Sequence, residues 1–191
     1  MWAQTARLRS ETSETRAGLP FHQAPCPVAA EIERTGPGKV TVVEFVDYDC
    51  VHCRDLHATF APLLAEQEGA VRVVLKHVPL ERHATARRAA YAAICAEPQD
   101  KSYAMHDALM TASSRSEDDL LNIAQHVGLD VERFKECLRS DLPETRLRED
   151  LDAYHAVGGD GLPMVFIQTT KLVGTQPEST LADALRSAAT R

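Results

Sequence analysis

The chain has 191 residues, 44% of them hydrophobic, enough for one domain with a sizeable core and room for an insertion. Its 21 Lys and Arg against 28 Asp and Glu leave a net charge of −7, which argues against a phosphate-tracking nucleic-acid binder and a polybasic membrane anchor. Five cysteines, sparse in a long chain, exclude a small disulfide-stapled scaffold, and the odd count leaves one sulfur without an intramolecular partner.

No window approaches the roughly 18 consecutive apolar residues of a membrane span. Behind Arg7 and Arg9 no apolar run of secretory type follows. A leaderless protein, a trimmed chain and a soluble part of a membrane protein would all read this way.

Residues 1–38 read as an irregular lead-in, polar at first and then Pro-rich around Pro20, Pro25 and Pro27. VTVVEFV from Val40 to Val46 is β-branched and aromatic, as in a strand buried on both faces of a parallel or mixed sheet; Glu44 alone interrupts it. After Asp49 the spacing of Leu56, Phe60, Leu63 and Leu64 predicts a helix with Pro62 inside it. VRVVL at 71–75 is a second strand, so strand, helix and strand form a βαβ unit.

From Arg82 to Val157 every segment reads helical. One helix begins at RHATARRAAYAAICAE, and another opens at Ser116 with Asp119 as a capping box and closes at Gly128; two more start near Asp130 and Pro143. After GGDG come Leu162-Pro163, the short strand MVFI, a turn around Thr170 and Lys171, a last strand near Leu172, and a helix with Pro177 at its start. The order is β-α-β, a helical block, then β-β-α.

Cys50 and Cys53 form C-V-H-C where the first strand gives way to its helix. Two cysteines three apart in a helical turn bring their side chains close enough for a disulfide. At a helix N-terminus, unpaired N–H groups and the helix dipole favour a thiolate, so Cys50 is the better attacking and leaving group in thiol-disulfide exchange. His52, when protonated, adds positive charge beside the sulfur. The competing reading is half of a zinc site, but a structural site needs four ligands, and Cys26, Cys95 and Cys137 are isolated among scattered histidines. His52 and His57 with both cysteines could be drawn as ligands, yet that picture leaves Pro163 without a role. The redox reading is preferred, with no metal.

Glu44 lies six residues before Cys50 among Val42, Val43, Phe45 and Val46. A carboxyl so placed is desolvated and titrates high, and it can move a proton to or from Cys53 as a disulfide opens or closes. On an edge strand it would instead point to solvent.

C-x-x-C at a strand-to-helix junction, an acid six residues before it and a Pro entering a late strand form the thioredoxin-fold pattern, and the chain resembles the DsbA-like branch of that fold. TVVEFVDYDCVHC is similar to its active-site segment, usually E-F-x-D-Y-x-C-P-x-C; VPLERHATARRAA resembles the segment after its second strand, and GGDGLPMVFIQ its cis-proline loop. The similarity covers Lys39 to Arg191. It implies an α/β thioredoxin fold with an inserted all-helical domain: 39–81 and 159–191 form the thioredoxin-like part, and 82–158 the insert. It also implies that Cys50 is an exposed nucleophile, Cys53 a buried resolving thiol, Glu44 the buried acid and Pro163 the cis-proline facing the disulfide. The backbone of Leu162 then pairs with an extended substrate segment. Val51 stands where many relatives have Pro, which leaves the strength of oxidation open across about −270 to −120 mV.

The resemblance implies a thiol:disulfide oxidoreductase with no cofactor beyond its cysteine pair, acting as a monomer on extended or unfolded protein thiols in the periplasm or another extracytoplasmic space. A redox partner then resets it, and no nucleic acid is involved. A reductase or DsbC/DsbG-like isomerase, or a non-catalytic chaperone module using the Leu162-Pro163 groove, are the alternatives.

Cys95 and Cys137 each sit on a helix facing the core of the helical block, either as two buried thiols or as a structural disulfide. Cys26 is the odd one out. His57, His77, His83, His106, His126 and His155 follow no spacing pattern and read as surface or packing residues.

Overall fold

The computed structural model describes residues 26–190, so the reading of the first 25 residues lies outside it. The βαβ unit consists of β1 (Val40–Val46), α2 (Val51–Ala65) and β2 (Val71–His77), and it is preceded by α1 (Pro27–Thr35). Five helices follow: α3 (Ala86–Ala96), α4 (Ser102–Thr111), α5 (Glu117–His126), α6 (Val131–Arg139) and α7 (Leu142–Ala156). The chain returns through β3 (Met164–Ile167), β4 (Thr170–Val173) and α8 (Glu178–Ala189). Among the described residues no helix is long and apolar enough to cross a membrane.

The strands form one mixed sheet in the order β2-β1-β3-β4. Every residue of β1 is buried because it lies between neighbours, parallel to β2 and antiparallel to β3. Alternation then sorts its side chains onto two faces. Val40 and Val42 pack with Val165, Ile167 and the α2 and α8 residues Leu56, Phe60, Leu181 and Leu185. Val43 and Phe45 face the other way, onto Met164, Phe166, Val28 of α1 and Tyr154 of α7. This is the thioredoxin topology expected from the sequence, with α3–α7 between β2 and β3.

The helical block closes over one end of the sheet. Val46, Tyr48, Cys50 and Cys53 share a buried cluster with Ala89, Ala92 and Ala93 of α3, Met105 and Leu109 of α4, and Phe134 of α6. The small side chains of α3 let its neighbours approach closely. Local rules set the helix starts as read from the sequence: Ser116 and Asp119 form a reciprocal capping box, and Asp130 accepts from the N–H groups of Glu132 and Arg133. Gly128 follows α5 at φ +81°, the left-handed turn that glycine permits.

Two expectations need correction. The lead-in is not irregular up to residue 38, because Pro27 begins α1. Val28 and Ile32 of that helix pack on the sheet, and its buried Glu31 takes Arg72 at 3.3 Å and Lys76 at 3.9 Å, both from β2. Cys26 is the exposed residue that precedes this helix. Likewise α3 starts at Ala86 rather than near Arg82, because residues 80–85 are held by the turn after β1.

Candidate active site

β1 ends at Val46, and the turn Asp47-Tyr48-Asp49 delivers Cys50 as the residue preceding α2. Cys50 has extended backbone (φ −74°, ψ 119°), and its carbonyl accepts the first helical hydrogen bond, from Arg54 N–H at 3.2 Å. This places the sulfur-bearing residue where helix N–H groups converge. One turn on, Cys53 points inward. Both cysteines are free, and their side chains hydrogen-bond to each other.

Exposure does not separate the two thiols as the resemblance implied. Cys50 is only 6% exposed against 2% for Cys53, because it belongs to the apolar cluster around Val46 and Tyr48, with Leu162 packed against that cluster. Environment separates them instead. Burial pushes the Cys53 thiol far up, and the neighbouring Cys50 adds to this; a backbone hydrogen bond from Asp47 opposes it only in part. Between them Val51 and His52 face outward, His52 lying 3.9 Å from Asp55.

Glu44 lies opposite Leu75 of β2 and Val165 of β3, on a central strand and not an edge. Strand alternation puts it on the face of Val42 and Val46, the face that α2 covers. Desolvation alone pushes its carboxyl up to about 7.

The Leu162-Pro163 peptide bond is cis. The loop that carries it is fixed from three sides. Pro163 C=O accepts from Gly174 N–H at 2.8 Å, and Gly161 C=O accepts from the Tyr154 hydroxyl at 3.2 Å. At Gly159 an added Cβ would come within 2.5 Å of the Tyr154 ring, so only glycine fits under that ring. Leu162 packs against the clusters on both sides of the loop.

Around this site lies a polar frame that sequence reasoning missed. Asp47 is fully buried, and its carboxylate accepts from Asp49 N–H at 2.7 Å and Cys50 N–H at 3.1 Å. On its other oxygen it accepts from Leu80 N–H at 2.7 Å and His83 Nδ1 at 2.8 Å. Asp49 takes the Thr85 N–H and hydroxyl at 2.9 and 2.6 Å, and meets Arg115 at 3.4 Å. Arg115, itself buried, is held by the Leu109 and Ala112 carbonyls. The turn before Cys50 is thus tied to the loop after β2 and to the end of α4. An Asp three residues before Cys50, in the position of a side chain that caps its own turn, was the available signal.

A second polar group, buried at Tyr48 and His106 and reaching the surface at Asp107, lies beside it. The Tyr48 hydroxyl lies 3.3 Å from His106 Nδ1, the His57 and His106 rings are 4.9 Å apart, and His57 reaches Asp107 at 3.0 Å. Burial pushes His77 down to about 4 and His106 well below its usual range. Cys95 and Cys137 are bridged, which decides the alternatives left open by the sequence. Among the described residues no three His, Cys, Asp or Glu side chains are grouped so as to hold a metal ion.

A family model described as thioredoxin matches residues 37–187. The crystal structure of a thioredoxin-like oxidoreductase from Silicibacter pomeroyi is similar, with a TM-score of 0.69 and 32% identity over 81% of this chain and 88% of that one. Among curated proteins, a Na(+)/H(+) antiporter NhaA 3 of Salinispora tropica is 33% identical over 151 residues, 78% of this chain and 23% of that protein. A probable disulfide bond formation protein D of Bacillus anthracis is 29% identical over 140 residues, 67% of this chain and 64% of that protein. The chain spans about a quarter of the length of the antiporter relatives it matches.

Proposed function

We propose that this chain, which belongs to the thioredoxin family, is a DsbA-like thiol-disulfide oxidoreductase that oxidises protein thiols through the Cys50–Cys53 pair. The observation that carries this is the pairing of a helix-initiating Cys50 with a buried Cys53 whose thiol form is strongly favoured. In the oxidised pair, a substrate thiolate attacks Cys50 Sγ. The Cys50–Cys53 bond breaks, and Cys53 leaves with its electron pair and takes a proton, for which Glu44 on the same face is the donor. A second substrate thiolate then attacks the substrate sulfur of the mixed disulfide and Cys50 leaves, so two substrate thiols become one disulfide and the protein becomes a dithiol.

The family resemblance supports the remaining parts of this reading. Leu162 offers its backbone to an extended substrate segment beside Pro163, and exposed His52 lies at the mouth of the pair. Residues 39–81 and 159–191 form the catalytic part, and 82–158 an insert framing it. The protein works as a monomer without a further cofactor and is reoxidised by a redox partner. The Cys95–Cys137 bridge supports an oxidising, extracytoplasmic compartment such as the periplasm.

The test is transfer of the disulfide from oxidised protein to a reduced, unfolded two-cysteine substrate, followed by loss of substrate thiols. One substrate disulfide per protein molecule is expected, and none with Cys50→Ser. Transfer that persists in Cys50→Ser would overturn the assignment. Protection from aggregation without any transfer by the wild type would favour a binding module.

A further inference from the structure

We propose that Asp47 and His83 form a positioning pair that sets the redox poise of Cys50–Cys53 through the charge state of His83. The proposal rests on the reading of Cys50–Cys53 as the redox pair. Asp47 is the hub of the site. Its carboxylate holds the N–H of Cys50 itself, its backbone hydrogen-bonds to Cys53, and its side chain has no exposure to solvent. A buried negative charge beside the cysteines disfavours a second negative charge on sulfur; the Asp47 carboxylate acts in this direction on Cys53, against the larger and opposite effect of the Asp47 backbone hydrogen bond.

The single ion pair that Asp47 makes among the described residues is with His83, at 2.8 Å. Because a carboxylate only accepts, His83 Nδ1 is the donor in this contact, whether the ring is neutral or charged. Neutral His83 orders Asp47 but leaves its charge in place. Protonated His83 cancels that charge and so favours a thiolate on Cys50. His83 is 19% exposed and can exchange protons with solvent.

The other charged groups facing this pair are fixed partners. Asp49 and Arg115 neutralise each other across the α4–α5 connection, Arg54 of α2 acts on Arg115, and Glu81 and Arg82 of the 80–85 loop are exposed. His83 is therefore the ionisable group in direct contact with Asp47; Glu44, pushed up to about 7 by burial, and exposed His52 are the other ionisable groups near the cysteines, and every variant below retains both.

The experiment is the equilibrium with glutathione, in which protein disulfide plus two glutathione gives protein dithiol plus glutathione disulfide. Wild type, His83→Asn, Asp47→Asn and the double variant are measured across pH. His83→Asn keeps a hydrogen-bond donor and removes the charge. It is expected to shift the equilibrium toward the disulfide by about tenfold, or about 30 mV, where Cys50 is ionised and His83 protonated. The gap is expected to narrow as pH rises and the proton leaves His83, and to vanish in the Asp47→Asn background.

Equal constants and equal pH dependence in wild type and His83→Asn would overturn the proposal. A wild-type pair that does not equilibrate with glutathione would instead overturn the reading beneath it. Should His83→Asn not fold, the wild type decides by magnetic resonance of the His83 ring. Titration at higher pH in the reduced than in the oxidised protein is expected, and coincident curves would overturn the proposal.

Discussion

Cys95 on α3 is bonded to Cys137 on α6, their Cα atoms 5.7 Å apart across 42 residues of sequence. The bridge clamps together two helices that contribute Ala89, Ala92 and Phe134 to the cluster around Cys50 and Cys53. A cross-link of this loop length restricts the unfolded chain by about 4 kcal/mol in the chain-entropy account.

The double variant Cys95→Ala/Cys137→Ala is accordingly expected to lose about 2–5 kcal/mol of unfolding free energy in urea. A loss under about 1 kcal/mol would show that packing alone holds α6.

The two active-site thiols are expected to differ in chemistry. Offered a substrate that carries a disulfide, Cys53→Ser, which retains Cys50, attacks one substrate sulfur, releases the other as a thiolate and accumulates the mixed disulfide; Cys50→Ser does not, because its environment holds the remaining thiol protonated. Both variants are made in a Cys26→Ser background, since Cys26 is exposed and would react. Equal trapping by the two variants would contradict the assignment of roles.

Glu44 makes stability depend on pH. Its carboxyl holds a proton up to about 7 in the folded state, while in the unfolded chain it ionises near its ordinary value of 4.5. The stability tied to that proton is complete below about 4.5 and is lost as pH rises through about 7, by about 3 kcal/mol in all. Glu44→Gln removes this loss. The difference in urea midpoint between Glu44→Gln and wild type is expected to grow from pH 5 to 8 in favour of the variant, and a difference independent of pH would refute the account.

Buried histidines act in the opposite direction. His77 stays neutral down to about 4 when folded but takes a proton near 6.5 when unfolded, so its contribution is present above 6.5 and lost as pH falls through 4. His77→Phe, with a ring that can still pack on Tyr48, is expected to weaken the acid loss of stability by about 3 kcal/mol between these limits. An unchanged acid limb would place the loss elsewhere.

Tyr48→Phe tests the hydrogen bond beside this group. It leaves His106 Nδ1 buried without its partner, which costs about 1–3 kcal/mol in urea unfolding. A neutral result would mean that the hydroxyl contributes nothing to the folded state.

Short-range patterns were legible in the sequence. The unbroken apolar run from Val40 to Val46, the Cys50–Cys53 spacing, the Ser116–Asp119 box and Leu162-Pro163 each carry their signal within a few residues. What was missed depends on distant partners. α1 owes its place to Val28 on the sheet and to Glu31 with Arg72, 41 residues away. Asp47 and His83 are 36 residues apart, and Tyr48 and His106 58, so no local pattern announces either contact. The Cys95–Cys137 pairing stayed open for the same reason, because it requires knowing how two helices cross. The exposed nucleophile suggested by resemblance was corrected by packing around Cys50 that no motif encodes.

The most direct test of the oxidase account is the reduction potential of the Cys50–Cys53 pair, measured in glutathione buffers at pH 7. The account predicts a value above about −200 mV, where reduction is favoured and disulfides flow to substrate. A value near −270 mV would contradict it and make the protein a reductant.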